Sequence, residues 1–115
     1  MSTKVNVAPV QEINVPFING FAAVSNHKNS YYKNQFGEVA LIFSVKRADN
    51  STFSGIHVVA NIPVVFRPNI ATNIPMASAF PNNSYALIDS SGNLTVSTSG
   101  IQMPSMAGAI IYRAP

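Results

Sequence analysis

The chain reads as an all-β protein, an antiparallel β-sandwich of jelly-roll or Greek-key type. Three observations carry that reading. Apolar and polar residues alternate at a spacing of two, most cleanly across residues 38–46, as in a strand with one buried face. No stretch of helical length (about 11 residues) repeats its apolar positions with the period of a helix. Eight prolines and six glycines interrupt the chain at short intervals, and short strands so spaced argue for a sandwich or barrel.

The elements follow in order. Residues 1–18 form an arm or edge strands: Val5, Val7, Val10, Ile13 and Val15 alternate weakly, and Pro9 and Pro16 remove ladder donors. The sandwich proper is expected over residues 19–115. Asn19-Gly20 is a turn, residues 21–24 a short strand and residues 25–30 a polar loop. Tyr31 opens the next strand, which turns at residues 34–37. From Glu38 the alternation places Val39, Leu41, Phe43 and Val45 on one face and Glu38, Ala40, Ser44 and Lys46 on the other. Ile42 is the exception on the outward face, a position that an oligomer or a second sheet would cover. Asp49-Asn50 turns the chain, and residues 53–62 read as the return strand of a hairpin. Gly55 marks a bulge or a close backbone approach within it. If Ile56, Val58 and Ala60 face the core there, His57 faces out with Val59.

Pro63 ends that strand. Residues 64–67 are expected to pair briefly before Pro68, residues 69–73 to loop, and residues 74–80 to form an edge strand limited by Pro75. Pro81-Asn82-Asn83 is a turn. Residues 85–89 and 94–98 make a hairpin around Ser90-Ser91-Gly92-Asn93. Residues 107–112 are apolar throughout, the pattern of a strand buried on both sides.

At 115 residues the chain has the size of one domain. Charged residues make up 10% of it, against about 25% in ordinary soluble domains. With 47% hydrophobic residues, part of the surface is expected to lie against copies of the same chain, since obligate interfaces resemble a core cut in half. There is no cysteine, hence no disulfide framework and no thiolate metal site. The net charge is +3, but the basic residues are scattered, with only Lys46 and Arg47 adjacent. A nucleic-acid partner usually needs a basic stripe. No apolar run approaches the roughly 20 residues of a membrane span, and residues 1–17 lack the apolar block of a signal peptide. Neither nucleic acid binding nor membrane insertion is expected.

Titratable groups are scarce: Glu12, Glu38, Asp49, Asp89, His27 and His57. None has a metal-ligand spacing, and there is no nucleophile elbow or phosphate loop. The chain is therefore expected to be non-enzymatic, without metal or cofactor. Asn50, Asn82 and Asn93 open Asn-x-Ser/Thr triplets, which turn chemistry supplies without glycosylation. Binding is read from Asn26 and His27, in a polar loop beside Tyr31 and Tyr32, because loops on rigid sandwiches collect binding residues. Phenol rings flanked by amide and imidazole groups suit a saccharide. The plainer reading is a solvated loop before two strand tyrosines, one facing in and one out. Arg67 is a candidate anchor for an anionic group, or else a side chain packed across one end of the sandwich.

The order of these features has a parallel. Tyr31-Tyr32-Lys33 leads to Phe36-Gly37-Glu38-Val39, then to Ile62-Pro63 with Phe66-Arg67-Pro68, and finally to the Ile88-Asp89-Ser90-Ser91-Gly92-Asn93-Leu94 hairpin. This resembles the β-sandwich head domains at the C-termini of bacteriophage tail-fibre and baseplate receptor-binding proteins, over residues 19–112. The resemblance implies a homotrimer in the virion, made in the bacterial host cytoplasm. It implies no catalysis, and a partner that is either host cell-surface saccharide or a neighbouring tail or baseplate protein. Residues 62–66 lack the glycine usual in that element, and the chain has no tryptophan. Two other readings stand beside it: a carbohydrate-binding module of a cellular enzyme, and a purely structural virion scaffold protein.

Overall fold

The computed structural model describes residues 11–76 and 84–115. Residues 1–10 of the expected arm, the last residues of the strand expected at 74–80, and the Pro81-Asn82-Asn83 turn lie outside the described residues. The fold is an all-β sandwich of two antiparallel sheets. Its strands are β1 (Ile13–Asn14), β2 (Phe21–Ala23), β3 (Ser30–Lys33), β4 (Glu38–Arg47), β5 (Ile56–Asn61), β6 (Thr72–Ile74), β7 (Tyr85–Ile88), β8 (Asn93–Ser97) and β9 (Met106–Arg113).

The first sheet is built on β4. Its alternation sends Val39, Leu41, Phe43 and Val45 into the core, each almost wholly buried. On one edge β4 pairs with β3 (Tyr31 opposite Leu41) and, further along, with β2 (Ala23 opposite Val45). On the other edge β9 pairs with it continuously, from Glu38 opposite Arg113 to Val45 opposite Met106. β1 extends the sheet beyond β3. The second sheet has the order β5-β8-β7-β6.

Two short bridges close the sandwich. Met76 pairs with Gly108 and so carries the β6 side of the second sheet onto β9, while Phe17 pairs with Ala60 and covers the β5 edge. Gly108 is needed at this crossing, because a Cβ there would lie 2.8 Å from the Pro75 carbonyl oxygen. Phe43, Phe53, Leu41, Ile62, Ile88, Leu94 and Met106 fill the interior, each side chain contributing about 1.5–3 kcal/mol on burial. No buried side-chain polar atom among the described residues lacks a hydrogen-bond partner.

Several expectations are corrected. Residues 53–62 are not the return strand of a hairpin with β4; β4 and β5 lie in different sheets. Both edges of β4 are already occupied, so the chain leaving Arg47 crosses to the second sheet. The strand register also slips between Val58 and Ala60, so the bulge sits at Val59 and not at Gly55. Val59 and Ala60 are therefore both buried, Ile56 is exposed, and His57 tucks against the rings of Phe21 and Phe53. Residues 64–66 form a single 3-10 turn and do not pair. β9 is buried on one face only: Met106 and Tyr112 point inward, whereas Ile111 keeps 69% of its surface exposed.

Candidate functional site

The outer face of β3, β4 and β9 leaves Ile42, Ala109 and Ile111 exposed. Register sets its composition. Tyr32, Ala40 and Ile111 form one cross-strand row, Ser30, Ile42 and Ala109 the next, and Ser44 and Ala107 a third. Ile42 is 38% exposed, so the second sheet does not cover this outward isoleucine.

A loop borders the face because the ladder has a gap. β2 and β3 share one edge of β4, and residues 24–29 between them leave the sheet. Val24 N–H donates to the Ser44 carbonyl at 2.9 Å, and the Ser44 N–H is satisfied by Asn29 Oδ1 at 2.5 Å. Asn29 thus replaces a strand at the gap, and Asn26, His27 and Lys28 stand out from the edge. Asn26 takes a left-handed conformation, φ 63°, which asparagine tolerates. Lys28 Nζ meets Glu12 Oε1 at 2.6 Å, and that hydrogen bond raises the lysine above its ordinary pKa.

Two open depressions of about 600 Å³ each lie along the face and share Lys28, Ile42, Pro75 and Ala109. Asn26, His27 and Met76 rim the first. Tyr32, Glu12 and Ile111 rim the second. The structure therefore gathers Asn26, His27 and Tyr32 around one surface. It separates Tyr31, which faces inward from β3, is 2% exposed and meets the Phe66 ring edge-on at 4.9 Å. Burial raises the Tyr31 phenol above its ordinary pKa.

Arg67 is separated as well. It lies at the end of the sandwich where Lys33 Nζ donates to the Val65 carbonyl. Its Nε donates to the Ile62 carbonyl at 2.7 Å, and its Nη2 to Asn61 Oδ1 at 3.2 Å. The guanidinium is spent on holding the chain. Lys28, Pro75, Met76 and Ala109 were not read as site residues from sequence. The outward position of Ile42 was their one signal.

The carboxylates are likewise engaged locally. Glu38 accepts from Asn34 Nδ2 at 2.9 Å. Asp49 accepts from the Ser51 hydroxyl and N–H, which hold its carboxyl below the usual range. Asp89 accepts from the N–H groups of Ser91 and Asn93. His57 Nε2 lies 2.6 Å from the Ser54 carbonyl. Among the described residues no three His, Asp or Glu side chains are grouped to hold a metal, and no helix is long and apolar enough to cross a membrane. An apolar floor with amide, imidazole and phenol groups at its rim is equipped to bind a surface that is partly carbon and partly hydroxyl or amide.

The fold is an antiparallel β-sandwich, and the outer face of β3, β4 and β9 carries exposed Ile42, Ala109 and Ile111 beside Asn26, His27 and Tyr32. No family model, no curated protein and no solved structure matches the chain.

Proposed function

We propose that this chain is a non-enzymatic binding and assembly module whose working surface is the outer face of β3, β4 and β9. The order of its strands and turns, through its resemblance to phage head domains, supports placing it in a virion tail or baseplate. There it would associate as a trimer and contact cell-surface saccharide through Asn26, His27 and Tyr32. The observation that carries the reading is the apolar floor of Ile42, Ala109 and Ile111, bare in the single chain and rimmed by those polar groups. The trimer rests on the resemblance alone.

Light scattering of the purified chain is expected to give three times the chain mass, and Ile42→Asp is expected to return it to a monomer with an unchanged circular dichroism spectrum. On a glycan array the chain should retain a saccharide, and Tyr32→Ala should weaken that binding about tenfold, the loss of one well-placed contact worth about 1.4 kcal/mol. A trimer without any glycan signal would point to the scaffold reading. A monomer that binds glycan would point to the cellular carbohydrate-binding module. A monomer that cleaves a polysaccharide would overturn the proposal.

A further inference from the structure

The turn that leads into β2 carries a reactive pair. Asn19 is the only asparagine of the chain followed by glycine, and both residues are exposed. They stand at φ 59° and φ 81°, and across them the Phe21 N–H donates to the Ile18 carbonyl at 3.2 Å. Positive φ at both central residues makes this a type I′ turn. The Gly20 carbonyl accepts from the Ala48 N–H at 2.8 Å, but the Gly20 N–H has no hydrogen-bond partner among the described residues. A Cβ added at Gly20 would find nothing within 4 Å. An unbonded and unshielded backbone nitrogen thus follows directly on a side-chain amide.

Other asparagines are better protected. Asn29 and Asn50 each precede serine, a small residue but one with a Cβ. The Ser51 N–H that follows Asn50 donates to Asp49 Oδ1 at 2.9 Å. Ser30, which follows Asn29, is buried in β3, and Asn29 Oδ1 is itself held by the Ser44 N–H.

We propose that Asn19 is a site of spontaneous deamidation, and that the fold sets its rate. The Gly20 nitrogen bonds to Asn19 Cγ. Nδ2 leaves as ammonia, carrying the proton that the Gly20 nitrogen gave up, and a cyclic succinimide remains. Water then opens the ring at either carbonyl, which yields aspartate or isoaspartate. Water is the only co-reactant, and the step does not involve the outer face of β3, β4 and β9.

The native contacts restrain the step and fix its consequence. Asn19 Nδ2 donates to the Val58 carbonyl at 2.8 Å, so the amide must let go of β5 before Gly20 can attack it. Beside it the Ile18 N–H donates to the Val59 carbonyl at 2.8 Å. The turn therefore fastens the lead into β2, in the first sheet, to the bulge of β5 in the second. Aspartate has no N–H to give Val58, and its carboxylate would face the carbonyl oxygen. Isoaspartate also lengthens the turn backbone by one carbon. Either product loosens this seam, so deamidation is a slow clock that weakens the contact between the sheets.

Peptide mapping by mass spectrometry tests the site on the unaltered chain, kept folded in mildly alkaline buffer, which favours loss of the Gly20 proton. Asn19 is expected to convert about tenfold faster than Asn29 or Asn50, because only glycine leaves the following nitrogen unshielded. Equal or slower conversion at Asn19 would overturn the assignment. The same mapping in urea tests the restraint. Released from Val58 and from the turn, Asn19 should convert about tenfold faster than in the folded chain, and equal rates would refute the gating. Asn19→Asp tests the consequence. Amide exchange at Ile18 should quicken about fivefold with the loss of the neighbouring hydrogen bond, both in this variant and in the acidic fraction separated from an aged sample. Exchange unchanged in both would show that the amide does not hold the seam.

Discussion

Gly92 shows how much one residue type can decide. It sits at φ 82°, and a Cβ there would run into the Ile62 carbonyl oxygen and Arg67 Nε. The Gly92 carbonyl accepts from Ile62 N–H at 2.8 Å, and Asn61 Nδ2 donates to Asn93 Oδ1 at 2.9 Å. The Ile62-Pro63 element, Arg67 and the 88–94 hairpin are thus one knot. This gives a structural reason for those motifs to occur together, and it draws Arg67 away from ligand binding. Gly92→Ala is expected to cost about 2–4 kcal/mol, from the left-handed backbone together with the overlap, measured by urea unfolding. A loss under about 0.5 kcal/mol, the range of an ordinary surface substitution, would mean that the knot yields easily.

Among the elements, β4 was legible and β9 was not. In β4 the inward residues are large and most outward ones small or polar, so the period of two shows in the letters. In β9 both faces are apolar, and only the packing distinguishes buried Met106 and Tyr112 from exposed Ile111. The apparent hairpin between β4 and β5 failed for a related reason. A turn at Asp49-Asn50 reverses the chain but does not choose the sheet. The gap between β2 and β3 was equally hidden, because nothing in the letters distinguishes Asn29 from its loop neighbours. Asn29→Ala should leave the N–H of Ser44, a residue only 4% exposed, without its partner. The expected cost is about 1–3 kcal/mol, with faster amide exchange at Ser44. Unchanged exchange there would show that the asparagine does not hold the gap.

At the scale of the whole molecule, Tyr112 joins β9 to the 3-10 turn. Its hydroxyl donates to the Phe66 carbonyl at 2.6 Å. Burial, with a smaller contribution from Tyr31, pushes the phenol well above its ordinary value, near 10 in an unfolded chain. The folded state therefore holds the proton more tightly than the unfolded one. The resulting stabilisation is complete below about pH 10 and is lost as pH rises toward the folded value. Tm should fall in alkaline solution beyond that point, and Tyr112→Phe should remove much of the fall while lowering Tm at neutral pH. An equally steep alkaline decline in the variant would assign the effect elsewhere.

Residue spacing alone determined the all-β class, the buried face of β4, and the turns at 34–37 and within 90–93, though Asn93 already belongs to β8, because those follow from local periodicity and backbone chemistry. It also placed Asn26 and His27 in a polar loop before Tyr31 and Tyr32, without telling which tyrosine faces out. Tertiary structure decided which strands share a sheet and which apolar face stays bare. It also decided that Tyr31 and Arg67 serve the interior and one end of the sandwich. Those outcomes depend on which edges and faces are already occupied when each strand arrives, a fact that no local stretch of sequence contains.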